Sequence, residues 1–531
     1  MLSTAKSTQG MATAPHYLAS EAGLRVLREG GTAIEATIAM GACLAVVYPH
    51  MTAIGGDGFW LVSKDRDAPV AIDACGGAAE AATEDFYRSK GLSAVPWRGP
   101  LAANTVAGAV SGWGEALRLS HELGGRLPMA RLVEDAAFHA ENGFMVTVSQ
   151  QVTTAEKLSG LADAPGFAPV YLVAGAAPAA GSRMRLPALA RTLRRIGEEG
   201  AQGFYRGALA RDISADLARI GAPVSADDLA AHRAQRRTPL SVGVRGAKLY
   251  NFPPPTQGLS SLMILALFDR LGVARPESFA HVHGLVEATK QAFLVRDAHV
   301  GDPGAMTRDP AEFLEASLLD TLAARIDRAR ALPWPQPASA GDTVWLGAID
   351  RNGIAASYIQ SIYFEYGSGC VLEDTGIVWQ NRGASFAIGA DANPVRRLAP
   401  GAKPFHTLNP ALAQFEDGRT MVYGTMGGEG QPQTQAAVFS RYAMFGQDLQ
   451  EAIAAPRWLL GKTWGEDSVS LKVESRFEPA LIDALEAAGH HVEVMEAYSS
   501  VMGHAGAVVR DRQGLFQGAT DPRSDGAALG F

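Results

Sequence analysis

The sequence predicts an α/β (α+β) protein, and three observations carry that reading. Helical periodicity dominates residues 105 to 330, strand-like runs lie on either side of it, and a hairpin signature opens at residue 343. In chain order, Ala19, Ala22, Leu24, Val26 and Leu27 mix with charges in helical spacing until Gly30-Gly31 stops the helix. A more apolar helix follows from about Ala33 to Val46. The glycine-rich stretch Pro49 to Gly58 then turns into the strand Phe59-Trp60-Leu61-Val62. It lacks the spacing and the lysine of a phosphate-binding loop, so its glycines predict close backbone packing.

Amphipathic helices are expected over Leu127 to Asn142, Leu186 to Glu199 and Ala208 to Ile220. Lys248 to Asn251 reads as an exposed strand before Phe252-Pro253-Pro254-Pro255, whose prolines stiffen the connection into a helix starting at Gly258. His281 and His283, two residues apart within a helix spanning Glu277 to Val300, point to different sides and cannot chelate one metal. His490-His491 is read as equally incidental.

The chain has 531 residues, 47% hydrophobic and 19% charged, enough for a large buried core. A formal charge of −8 without a Lys/Arg block excludes nucleic acid as a partner. The cysteines Cys43, Cys75 and Cys370 lie far apart and predict buried free thiols, not disulfides or a zinc site. No apolar segment follows the N-terminal charge, and Ile34 to Tyr48 carries Glu35 and is shorter than the roughly 20 residues of a membrane span. The expectation is a cytoplasmic protein without a membrane partner.

The sharpest boundary is the proline-rich stretch Leu332 to Ala340, read as an extended linker. Thr343 to Ile349 then reads as a strand, Asp350-Arg351-Asn352-Gly353 as a turn, and Ile354 to Tyr363 as the returning strand. Closing the turn at Asp350/Gly353 places Thr343 opposite position 360; closing it at Arg351/Ile354 places it opposite 362. Ser361 lies between these alternatives. Cleavage of Asp342–Thr343 would free an amine beside the Thr343 hydroxyl, able to serve as general base for that nucleophile. Gly424 to Gly430, after the strand Thr420 to Tyr423, can aim adjacent N–H groups at a developing oxyanion. No GxSxG elbow, HExxH zinc site or dinucleotide-binding GxGxxG supports a competing chemistry.

These residues resemble the γ-glutamyltranspeptidase family over nearly the entire chain. The markers are Glu21-Ala22-Gly23, Gly30-Gly31, Pro49-His50-Met51, Ile54-Gly55-Gly56, Phe252 to Pro255, Gly301-Asp302-Pro303 and Asp521-Pro522-Arg523-Ser524. The resemblance implies a four-layer αββα sandwich of the N-terminal-nucleophile hydrolase type, with additional helices. It further implies self-cleavage at Asp342–Thr343 into a large subunit, 1–342, and a small subunit, 343–531, that together form one body. Thr343 is then the nucleophile, Ser361 its supporting hydroxyl, and Gly427 and Gly428 the oxyanion hole. No metal or organic cofactor is implied, and association of identical copies is left open.

The pocket departs from the family pattern. Glu84 aligns with the arginine that grips the glutamyl α-carboxylate, Tyr363 replaces an asparagine, and Arg382-Gly383-Ala384-Ser385 replaces the ammonium-binding Gln-x-x-Asp. His406-Thr407 replace paired serines, and Ala387 to Ala402 is short for a lid. Arg382, Tyr363, Asn381, Ser385, His406 and Thr407 are the expected substrate-binding residues. The exchange removes an acid and adds a guanidinium, which favours an anionic acyl group without a neighbouring ammonium. The local set around Thr343, Tyr363, Arg382 and Gly427 resembles an oxamate-hydrolysing branch of the family. It implies hydrolysis of a small carboxylate-bearing amide, oxamate to oxalate and ammonia being favoured. γ-Glutamyl transfer or glutathione hydrolysis, acylase activity on a larger amide, and a catalytically silent binding protein are the alternatives.

Overall fold

The computed structural model describes residues 3–334, 342–461 and 468–531, with the backbone alone at Asp342. The expected linker therefore lies largely outside the described residues. Among the described residues, fourteen strands build the two main sheets. The first contains β1 (Ala5–Ser7), β6 (Leu240–Val244), β7 (Ala247–Asn251), β10 (Ala411–Phe415), β11 (Thr420–Thr425), β12 (Ala505–Arg510) and β13 (Phe516–Thr520), in the order β1-β13-β12-β11-β10-β7-β6. The second contains β2 (Gly10–Ala14), β3 (Asp57–Lys64), β4 (Val70–Ala74), β5 (Gln235–Arg237), β8 (Asp342–Asp350), β9 (Ile354–Tyr363) and β14 (Ala527–Gly530), in the order β14-β2-β8-β9-β3-β4-β5. All pairings within both sheets are antiparallel.

The facing sides bury Phe59, Trp345 and Ile359 of one sheet against Tyr250, Leu412, Val422 and Val508 of the other. Helices cover both outer faces. Helix α1 (Tyr17–Arg28) and α2 (Ala33–Val47) lie on the second sheet, whereas α3 (Gly258–Arg270), α4 (Phe279–His299) and α5 (Gln431–Phe439) pack on the first. The result is the expected αββα sandwich. Every residue of α2 is buried, which explains a helix apolar on all sides. Its one acid, Glu35, completes a capping box with Thr32 and also accepts the Leu127 N–H at 3.1 Å.

Three local expectations are corrected. The helix anticipated over Leu127 to Asn142 is two short ones, Met129–Leu132 and Glu134–Asn142. Strand β7 is buried except at Lys248, because it lies between β6 and β10 instead of at an edge. The β8–β9 hairpin closes on a three-residue turn, Arg351 to Gly353, with Gly353 at φ +80°. Val344 therefore pairs with Gln360, a register midway between the two anticipated ones, and its continuation points Thr343 at Ser361. The three cysteines are free and buried. Among the described residues no helix is long and apolar enough to cross a membrane.

Candidate active site

Strand β8 starts at Asp342, which puts the Asp342–Thr343 bond at its first step. The β8–β9 ladder is irregular at this point. Val344 pairs with Gln360 but Asp342 with Tyr363, so the extra residue of the bulge falls opposite Thr343. Ser361 Oγ accepts the Tyr363 N–H at 2.8 Å and fixes the far side of the bulge. Tyr363 adopts φ +81°, a conformation that is strained for a bulky side chain. On the other side of β9, Ser361 pairs with Asp57 of β3. Gly56 approaches so closely that a Cβ there would lie 2.0 Å from the Ser361 carbonyl oxygen. That contact accounts for the glycines before Asp57, as expected from packing.

Thr343 is fully buried, and its Oγ1 accepts from Gln431 Nε2 at 3.3 Å. Gln431 opens α5 directly after the turn of Gly427 and Gly428, which lie at φ +122° and +51°. Neither of their N–H groups meets an acceptor among the described residues. Two free donors before a helix N-terminus suit a developing oxyanion. A buried network holds the turn: Gln257 Nε2 donates to the carbonyls of Gly428 and Thr407, both at 2.8 Å. Arg296 donates to Gln257 Oε1 at 3.2 Å and pairs with Glu429 at 2.7 Å.

Thr407 links this network to Arg382. Arg382, only 2% exposed, stacks on Tyr363 with 3.3 Å between guanidinium carbon and ring centroid. Its Nη1 reaches Thr407 Oγ1 at 3.4 Å, while Nε and Nη2 meet no acceptor at hydrogen-bonding distance and no carboxylate pairs with it directly among the described residues; the Tyr363 hydroxyl and the Asp57 charge act on it from nearby. Burial lowers the Arg382 pKa, but arginine keeps its charge in proteins. Nε and Nη2 form one edge of the guanidinium fork, the geometry that grips both oxygens of a carboxylate.

His406 Nε2 lies 3.1 Å from Asp57 Oδ2, and both residues are buried. Asp57 Oδ1 accepts the N–H groups of Gly76 and Gly108 at 3.1 and 3.0 Å. Burial raises the Asp57 pKa to about 7 against those bonds, whereas burial and the Arg382 charge push His406 well below the usual range. Asp57, Cys75 and His406 bring potential metal-ligand atoms within 4.8 Å of one another. Arg382 and Lys403 act electrostatically on the same groups, which disfavours a cation there.

Other expected residues are supports. Asn381 donates to the Trp97 carbonyl at 2.8 Å and accepts the Phe364 N–H at 3.1 Å, so its amide holds two loops. Ser385 Oγ ties the Arg382 and Phe405 carbonyls at 3.0 and 3.2 Å. Glu84 pairs with Arg397 and Arg88 at 2.7 and 2.8 Å, away from Arg382. His281 and His283 do point apart, to Ser440 and His490, each at 2.9 Å. His283 of the one motif meets His490 of the other in a buried contact. Glu287 beside them is held by Lys290 at 2.6 Å. Gln431 and Asp57 were not anticipated; the signals available were a carboxylate inside a glycine turn and a glutamine directly after one.

Residues 19–531 match the gamma-glutamyltranspeptidase family. The chain belongs to that family. It is 55% identical over 532 residues, with 100% of both chains covered, to a Klebsiella pneumoniae protein named oxamate amidohydrolase proenzyme. It is 41% identical over 527 residues, with 99% of each covered, to a glutathione hydrolase-like proenzyme of Bacillus subtilis. Among solved structures, a cephalosporin acylase from Bacillus halodurans superposes with a TM-score of 0.91 at 30% identity, covering 100% of this chain and 97% of that one. The chain is an amidohydrolase of the gamma-glutamyltranspeptidase family with the N-terminal-nucleophile fold.

Proposed function

We propose that this enzyme hydrolyses a small amide bearing a carboxylate next to the scissile carbonyl, with oxamate as the favoured substrate. The carrying observation is the Arg382 edge: two buried donors, Nε and Nη2, meet no acceptor at hydrogen-bonding distance, on a charge that no carboxylate among the described residues pairs with directly. A buried, unpaired charge is costly, and a bidentate carboxylate satisfies both donors at once. The relative at 55% identity bears the name of an oxamate amidohydrolase, which agrees with this chemistry.

Maturation would cut Asp342–Thr343, giving a large subunit of 342 residues and leaving 189 of the 531 for the small one. The freed Thr343 amine takes the hydroxyl proton as Oγ1 attacks the amide carbon. The N–H groups of Gly427 and Gly428 stabilise the oxyanion, and Ser361 with Gln431 orients the hydroxyl. The amine then gives its proton to the departing nitrogen, releasing ammonia. It next activates a water that cleaves the acyl ester, releasing oxalate and restoring Thr343. Arg382 holds the carboxylate, with Tyr363 and Thr407 fixing its plane.

Ammonia release from oxamate, measured beside p-nitroaniline release from a γ-glutamyl anilide, tests this. Turnover of oxamate with little of the anilide is expected. Strong activity on the anilide and none on oxamate would overturn the assignment of Arg382 and favour the glutathione hydrolase reading.

A further inference from the structure

Asp57 has no place in the chemistry above, yet it is the group that faces His406. It lies on β3 opposite Ser361, fully buried, and its Oδ2 meets His406 Nε2 at 3.1 Å. The other ring nitrogen, Nδ1, is buried without a partner, and Arg382 acts directly on the ring. His406 adjoins Thr407, the residue bonded to Arg382 Nη1. A neutral imidazole donates from one nitrogen and accepts at the other, and the bond at one decides what the other offers. While Asp57 is a carboxylate, His406 donates from Nε2 and presents a lone pair at Nδ1. That lone pair would repel an anion seated on Arg382.

Resting on the carboxylate-amide reading above, we propose that Asp57 is a specificity-determining residue that sets the hydrogen-bonding face of His406. On this proposal the Asp57–His406 pair takes up one proton when the substrate carboxylate binds, so that Nδ1–H donates to it beside Arg382. The proton comes from bulk water: the pair goes from one shared proton to two, with Asp57 as acid toward Nε2 and His406 carrying hydrogen on Nδ1. No covalent bond changes.

The surroundings fit one uptake near neutrality. Burial raises the Asp57 carboxyl to about 7, opposed by the Gly76 and Gly108 N–H groups and a hydrogen bond from Gln380. Cys75, Tyr205 and Tyr358 also feel the Asp57 charge, and burial raises all three, so they stay protonated at neutral pH. Burial lowers His232 to about 4, so it is neutral there. Asp73 and Lys403, which act on His406 with opposite signs, neutralise each other in an ion pair of 2.6 Å. Arg382 remains cationic. Asp57 is therefore the group in this set that changes charge near pH 7. The sign follows: with the acid form below that value Nδ1 donates, and above it donation is lost.

The test uses the mature enzyme, Asp57→Asn and the product anion oxalate as competitive inhibitor. In the wild type, KM for oxamate and Ki for oxalate should both rise on the order of tenfold from pH ~6 to ~8.5, the worth of one charge-assisted hydrogen bond. An asparagine amide can donate to Nε2 at every pH, so Asp57→Asn should keep low constants and lose this rise. The Thr343 amine titrates in both proteins and cancels in the comparison. A rise unchanged in Asp57→Asn would overturn the proposal, as would a uniform loss of affinity with an unaltered profile. Should the variant not mature, 15N spectra of histidine-labelled wild type decide. Saturating oxalate should move hydrogen onto His406 Nδ1, and an unchanged pattern would refute the idea. Absence of turnover on any carboxylate amide would defeat the functional reading. Turnover with an unchanged Asp57→Asn profile would defeat this inference alone.

Discussion

Replacing Arg382 separates binding chemistry from folding. Arg382→Lys keeps a positive charge but loses the paired edge of Nε and Nη2 and the flat stack on Tyr363. Each charge-assisted hydrogen bond is worth about 1.5–3 kcal/mol, so losing one lowers kcat/KM roughly ten- to hundredfold. Arg382→Met loses both bonds and the charge, about 3–6 kcal/mol, or on the order of 10²- to 10⁴-fold. Stability should move the other way. A buried guanidinium outside any direct ion pair costs the fold several kcal/mol, partly offset by the Tyr363 stack, and methionine removes that cost. The assay is steady-state hydrolysis of oxamate beside thermal unfolding of the same mature preparations. Expected for Arg382→Met are a strongly reduced kcat/KM and a melting temperature equal to or above the wild type. A variant that melts earlier while retaining wild-type kcat/KM would refute the reasoning, because Arg382 would then be structural.

Thr343→Ala should remain one band on a denaturing gel, where the wild type gives roughly 36 and 20 kDa, scaled from a chain of 55.8 kDa; a cut Thr343→Ala would remove the nucleophile assignment. Gly56→Ala forces a Cβ to within 2.0 Å of the Ser361 carbonyl, so it should displace β9, slow maturation and cost at least about 1–3 kcal/mol by urea unfolding. Gln431→Leu removes the donor to Thr343 Oγ1 and leaves the Asn409 N–H, 3.3 Å from its Oε1, unpaired. Its kcat should fall about tenfold with little change in KM, and a pure KM effect would contradict an orienting role.

The hairpin was legible because its signals are local: a proline-rich boundary, an Asn-Gly pair and alternating strands. Its register was not. Whether the turn closes on two or three residues depends on Gly353 entering the left-handed region, and on Asp350 Oδ1 accepting from Asn352 and Ile354 at 2.9 and 3.1 Å. The Arg382 substitution was legible as a change of charge; the want of a direct carboxylate pair among the described residues was not, since it is a property of everything packed around it. Asp57 was invisible for the same reason: its partner lies 349 residues away. Glu84 carried a misleading signal. Its position suggested a pocket acid, but in space Arg397 and Arg88 claim its carboxylate.

The distribution of unsatisfied groups argues for the ligand. The groups that hold the oxyanion turn are paired: Gln257 with Gly428 and Thr407, Arg296 with Gln257 and Glu429. Next to them, Arg382 Nε, Arg382 Nη2 and His406 Nδ1 are not. Each buried polar group left open costs about 1–3 kcal/mol; such atoms occur elsewhere in the fold, Trp60 Nε1 and Arg441 Nη1 among them, but here three converge on one place beside the oxyanion turn. Folding alone would favour pairing them. A γ-glutamyl group would satisfy Arg382 with its α-carboxylate, but its ammonium needs an acceptor. The nearby acid, Asp57, already receives Gly76, Gly108 and His406, and His406 Nδ1 offers one uncharged acceptor. A compact anion without an ammonium closes Arg382 and, once Nδ1 carries hydrogen, His406 as well. The open groups thus outline the substrate more closely than the catalytic residues do.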